Sequence, residues 1–118
     1  MKLKYALLSL AILPCLSFAE CNQNDQVQIH KCMTQQLKTD KVKMNKLYQQ
    51  AYNKFENNNQ ILLEKSQKAW LNYRDVQCDE LMGSLTYGAL GMAAGLEYLQ
   101  CQLDSTEFRL KELQDLAR

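Results

Sequence analysis

The chain has 118 residues, with 14 basic and 13 acidic side chains, a formal charge of +1, one histidine, one proline and five cysteines. That length supports one small domain, and so even a charge balance gives no general reason to expect a nucleic acid as partner. No phosphate-binding loop and no close Cys-x-x-Cys pair is present, which removes the commonest nucleotide and zinc chemistries.

The first twenty residues read as an export signal. Lys2 and Lys4 precede an almost unbroken apolar stretch from Tyr5 to Leu16, and Ser17-Phe18-Ala19 places small residues where a signal peptidase cuts. The stretch is about twelve residues, too short for a bilayer that needs roughly 20. A retained anchor helix is the alternative. Lipidation is disfavoured, because Cys15 follows Pro14 and Cys21 follows Glu20, neither of them small as a lipid-modification site requires. The expected organisation is a cleaved signal peptide, 1–19, and one helical domain, 20–118, in the periplasm or secreted, with no stable membrane insertion of the mature chain.

Four cysteines remain after cleavage, Cys21, Cys32, Cys78 and Cys101. An even number in a short exported chain points to two disulfides. Their spacings are 11, 46 and 23 residues, which do not suit zinc. Charge is unevenly spread. Lysines 31, 38, 41, 43, 46 and 54 stand against Asp40 alone, whereas eight acids between Asp75 and Asp115 face only Arg109 and Lys111. Complementary packing of solvated helix faces accounts for this most simply.

In chain order, Asn24 or Asp25 is suited to cap a first helix. Ile29, Met33, Leu37, Met44, Leu47, Tyr48, Ala51, Tyr52 and Phe55 then recur at helical spacings. Asn57-Asn58-Asn59 is expected to stop that helix, since asparagine accepts turn geometry. A second helix is predicted from about Ile61 to Met82, its apolar positions being Leu62, Leu63, Trp70, Leu71, Tyr73, Val76 and Leu81. All four glycines, 83, 88, 91 and 95, fall in the next window. From there a third helix runs to Leu116, with Leu99, Leu103, Leu110, Leu113 and Leu116 facing inward. The fold class is all-α, an antiparallel up-down-up three-helix bundle stapled by two disulfides.

A bridge across an antiparallel helix pair joins residues nearly level with the turn. The midpoint of Cys78 and Cys101 lies in the glycine window, which favours that pairing and leaves Cys21 with Cys32. Cys32 with Cys78 has its midpoint at residue 55, against an asparagine turn centred on 58. That stagger is about six residues, or ~9 Å, beyond disulfide reach.

Gln67, Trp70 and Arg74 share one face of the second helix, and Arg74 is placed to stack on the indole. Polar groups on a core stripe need partners, so a buried network that fixes helix register is the favoured reading and a recognition patch the alternative. Arg109 and Glu112 are expected to complete that network with Arg74. Nothing points to catalysis. His30 has no serine or free thiol to activate, Asp79 and Glu80 point apart as adjacent helix positions, and neither a cofactor nor a catalytic or metal site is expected. Leu81 to Leu96 contains no charge. It is either a close-packed crossover between helices or an exposed apolar contact for a partner, with Leu85, Tyr87, Leu90 and Met92 as the contact residues.

The motif Gln67-x-x-Trp70-x-x-Tyr73-Arg74-Asp75-x-x-Cys78, with Met44-Asn45-x-x-Tyr48 before it and Cys101-x-Leu103-x-x-Thr106-x-x-Arg109-x-x-Glu112-Leu113 after it, resembles the LprI-like lysozyme-inhibitor family. The resemblance implies a small helical, extracytoplasmic, disulfide-bearing protein that binds another protein. In such a chain Asn45, Tyr48, Gln67, Trp70, Tyr73, Arg74, Asp75, Thr106, Arg109 and Glu112 are family-motif residues with structural roles. Family members often carry an acid where this chain has Lys41. Two functions follow as expectations. One is inhibition of a cationic lysozyme-type muramidase, not an enzymatic activity. The other is a non-inhibitory envelope role, structural, as an adaptor, or as a toxin-immunity protein.

Overall fold

Proline is missing beyond residue 14 and glycine before residue 83, so nothing interrupts helix over most of the chain. The computed structural model describes residues 21, 22 and 24–118; the expected signal peptide lies outside them. Helix α1 spans Gln26–Lys54 and α2 spans Asn57–Arg74. A π-helical segment, Asp75–Met82, prolongs α2 into one further α turn, α3, Gly83–Thr86, and α4 spans Met92–Ala117. No strand occurs among the described residues.

Asp25 caps α1, its carboxylate accepting from the Val27 N–H at 3.0 Å. The helix ends at Phe55, which is extended and donates its N–H to the Ala51 and Tyr52 carbonyls. Gln60 Nε2 reaches back to the Tyr52 carbonyl at 2.9 Å, satisfying one of the acceptors a helix end leaves open. The turn is therefore Phe55-Glu56. Asn57, Asn58 and Asn59 begin α2 instead of stopping α1. Phe55 and Tyr52 explain the earlier stop: both pack against the core, and holding them there turns the chain before the asparagines are reached.

The sequence order is up, down, up. α1 and α4 are parallel neighbours along their lengths, and α2 with its π extension runs back against α4. Two clusters make the core. Met44 and Ala51 of α1, Leu63 and Trp70 of α2, and Leu110 and Leu113 of α4 meet where three helices converge. Towards the other end Met33 and Leu37 meet Leu99, with Ile29, Leu96 and Leu103 packed beside them. Only α1 and α4 contribute to that second cluster, together with Cys21. Each buried side chain of this size contributes about 1.5–3 kcal/mol over leaving it in water.

Both expected disulfides are present, Cys21–Cys32 and Cys78–Cys101. Cys32 and Cys78 are not staggered as expected, because a turn at Phe55-Glu56 puts those two cysteines level. They are kept apart laterally: the π segment packs on α4, where Cys78 is fully buried against Cys101. The inward stripe of the second helix is also narrower than the spacing predicts. Leu63 and Trp70 are buried and Leu71 half-buried, but Leu62, Tyr73, Val76 and Leu81 are exposed. α1 and α4 cover only the side of this helix that carries Leu63 and Trp70. Leu116 is exposed as well, one residue before the helix ends.

Candidate functional site

The converging end of the bundle carries a buried polar node. Arg109 is 4 % exposed. Its Nε donates to Gln67 Oε1 at 2.9 Å, its Nη1 to Glu112 Oε2 at 2.9 Å and its Nη2 to Ser66 Oγ at 3.1 Å. Three fixed acceptors around a planar guanidinium lock α4 against α2 in one register. Tyr48 of α1 packs against the adjoining core cluster, near enough to feel the Arg109 charge. Burial first, then the nearby Glu64 carboxylate, raises its phenol above the ordinary value, opposed by Arg109.

Arg74 belongs elsewhere. Its guanidinium carbon lies 5.3 Å from the Trp70 ring centroid, as the spacing predicts, but its charge is paired with the adjacent Asp75 at 2.7 Å. The expected network of Arg74 with Arg109 and Glu112 is therefore two separate units. The guanidinium of Arg74, one turn beyond Trp70, leans back over the indole and reaches Asp75 at its own helix level. Asn45 is exposed on α1, while Thr106 is fully buried in α4. Trp70 Nε1, Gln102 Oε1, Ser105 Oγ and Thr106 Oγ1 are buried with no hydrogen-bond partner among the described residues.

The other end opens. The π segment brings Asp79 to α4, where Gln102 Nε2 donates to it at 3.1 Å and the Tyr98 hydroxyl also donates. The Tyr98 phenol is raised by burial and by the Asp79 carboxylate, with Arg74 acting against them. Between this segment and α4 lies a groove of about 550 Å³. Trp70, Tyr73, Gln77 and Met82 line one wall and Glu97, Gln100, Cys101, Asp104, Ser105 and Phe108 the other. The second set is a stripe at spacings of three and one, as a single helix face requires. A smaller depression on the α1 side of α4, about 450 Å³, shares Gln100 and Asp104 and includes Asp40, Lys43 and Glu107.

Beyond the groove the chain turns at Gly88 (φ 80°) and Gly91 (φ 55°), positive values that glycine adopts freely. A Cβ at Gly83, Gly88 or Gly91 would meet nothing within 4 Å. From Gly83 to Gly91 the uncharged window is thus not a close-packed crossover, although Thr86 is buried and a Cβ at Gly95 would touch the His30 ring at 3.9 Å. Leu85 (65 %), Tyr87 (89 %), Leu90 (48 %) and Met92 (66 %) are all exposed. Ser66, Tyr98 and the groove escaped the sequence reading, and Asp79 enters it only as half of a carboxylate pair with Glu80. Phe108 was the available signal, a large aromatic off the leucine stripe of α4.

Among the described residues no helix is long and apolar enough to cross a membrane, and no group of three or more His, Cys, Asp or Glu side chains is placed to hold a metal. No solved structure is significantly similar to the chain. It is 28 % identical over 116 residues, 88 % of its own length and 72 % of the relative's, to the uncharacterized protein YecT of Escherichia coli (strain K12). The family model described as lysozyme inhibitor LprI matches residues 19–113. With nearly all of the helical bundle inside that match, the chain belongs to the LprI lysozyme-inhibitor family.

Proposed function

We propose that the protein is an exported binding domain that inhibits a lysozyme-type muramidase by contact and performs no chemistry of its own. Family membership carries this reading. Signal-peptide cleavage after Ala19 would release residues 20–118 as one domain into the compartment where such enzymes act. The contact is assigned to Leu85, Tyr87, Leu90 and Met92, supported by their exposure at one end of the bundle, because clustered exposed apolar side chains usually mark a partner surface. The acids of the π segment and α4 would steer a cationic enzyme towards it. That attraction weakens with salt, since charges beyond about 8 Å are largely screened at 0.15 M. The family-motif residues Gln67, Trp70, Arg109 and Glu112 would serve the fold and not the contact.

The test is clearance of a bacterial cell-wall suspension by lysozyme, with the oxidised protein titrated at two salt concentrations. Inhibition should weaken at the higher salt, and Tyr87→Asp with Leu90→Asp should abolish it while helix content stays unchanged. An undiminished double variant removes the loop from the contact. No effect of the wild type at large molar excess, against several lysozyme types, favours the envelope-adaptor or immunity reading instead.

A further inference from the structure

Resting on the protein-binding reading above, we propose that the groove between the π segment and α4 is a receptor for a lysine or arginine side chain presented by a cationic protein partner. The aliphatic stem lies against Trp70, Tyr73, Met82 and Phe108, and the charged head meets Glu97 and Asp104.

Four observations converge on it. The groove, at about 550 Å³, has ample room for one long side chain. Its walls hold large apolar groups left in water, Phe108 at 63 % and Tyr73 at 59 % exposed, although both lie on helices with a buried face available elsewhere. Such side chains stay exposed at a cost unless a partner covers them. Glu97 and Asp104 stand seven residues apart on the same face of α4, both are exposed, and neither has an ion-pair partner among the described residues. Asp104 accepts only from the neutral Gln100 side chain, at 2.7 Å. The cation already at the indole, Arg74, is spent on Asp75, while Lys43 borders the neighbouring depression.

The chemistry of such a floor is selective. An aromatic and thioether wall favours the methylene stem of a long basic side chain, which keeps its head near water. Two carboxylates at the rim favour a cation there and repel an acid. A neutral apolar side chain would fill the wall but leave the acids unmatched. The loop at Leu85 to Met92 supplies area, and the groove supplies the preference for positive charge.

Trp70 is the sole tryptophan and lines the groove, so its fluorescence reports occupancy directly. The oxidised protein would be titrated with a capped glycine-arginine-glycine peptide, its lysine counterpart, and glutamine and glutamate controls. A saturable fluorescence change at millimolar concentrations is expected for arginine and lysine and not for the controls. Glu97→Gln with Asp104→Asn should weaken it about tenfold or more, whereas the Tyr87→Asp, Leu90→Asp variant should respond as wild type. All these substitutions are at exposed positions, and circular dichroism verifies that the helices persist. An unsaturable response, an equal response to glutamine, or an undiminished double variant overturns the proposal. The two readings separate cleanly: peptide binding without lysozyme inhibition removes the muramidase as partner and keeps the groove, and inhibition without peptide binding does the reverse.

Discussion

The two ends of this bundle are built from the same helices but solve opposite problems. At the converging end α1, α2 and α4 share one apolar cluster, and the charged group there, Arg109, has each of its three nitrogens on an acceptor. At the open end α1 packs on α4 without α2, the π segment is tied to α4 by a disulfide and the Asp79 bonds, and aromatic side chains stand in water. The first end satisfies its buried charge internally, although Trp70 Nε1 there has no partner among the described residues. The second leaves carboxylates and apolar surface unmatched, which is what a binding face requires. Stability and recognition are thus weighted towards opposite ends of the bundle, and Trp70 is shared, packing in the core cluster and lining the groove.

Substitutions at the converging end should therefore be the costly ones. Trp70→Ala is expected to destabilise by about 3–5 kcal/mol, measured by urea unfolding, because it leaves a cavity where α2 meets the core. Glu112→Ala follows at about 3 kcal/mol. It removes the carboxylate partner of a guanidinium whose side chain is only 5 % exposed, leaving it the neutral Gln67 and Ser66, while the carboxylate itself was 43 % exposed. Arg109→Met should cost less than Glu112→Ala, since the carboxylate left behind can hydrate. The reverse order would mean that the node is wetter than its geometry indicates. Phe108→Ala and Tyr73→Ala at the open end should each stay within about 0.5 kcal/mol. A large loss at either would erase the contrast between the ends.

Disulfides come next in size. Replacing both cysteines of Cys78–Cys101 by serine is expected to cost about 2–4 kcal/mol, through the freedom regained by the unfolded chain. Cys21–Cys32 closes a loop of about half the length, 11 against 23 residues of separation, so its loss should cost about 0.6 kcal/mol less. Paired urea titrations check the difference. A costlier Cys21–Cys32 would show that the bridge at the amino-terminal end supports the α1–α4 cluster more than chain entropy does.

How much of this was legible beforehand follows the same division. Helical spacing located Met33, Leu37, Met44 and Ala51 correctly, because α1 is covered along one face by α4 and one buried stripe is all it needs. Spacing failed on α2 and its π extension, where Tyr73 and Val76 fit the period yet face water: periodicity tells which residues share a face, not whether anything covers it. The π segment was invisible, since a wider helical turn has no residue signature in Asp75–Met82, the stretch that carries Cys78 to Cys101. Arg109 and Glu112 were legible as a pair at i, i+3, but their link to Gln67 and Ser66 depends on the register of two helices. The disulfide pairing came out right although one of its two supporting arguments rested on a misplaced turn.

The smallest expected effect is alkaline, and it probes both ends together. Tyr48 at the converging end and Tyr98 beside Asp79 at the open end both hold their protons above the ordinary tyrosine value, burial being the first cause in each. In the unfolded chain these phenols ionise from about pH 10. Above that pH the unfolded state binds fewer protons than the folded one, so stability falls as pH rises and is unaffected well below it. Ionised Tyr98 would also lose the hydrogen bond it donates and repel Asp79. Tyr98→Phe should therefore reduce the alkaline slope of unfolding free energy while changing stability little at neutral pH. Tyr48→Phe should reduce the slope too, again with little change in neutral stability, since it removes a hydroxyl and leaves the ring packed on the core. Phenolate absorbance against pH, followed in each variant, assigns the titrations. If Tyr98→Phe leaves the alkaline slope unchanged, the Tyr98–Asp79 contact does not hold the π segment to α4, and the open end is looser than the disulfide and Gln102 make it.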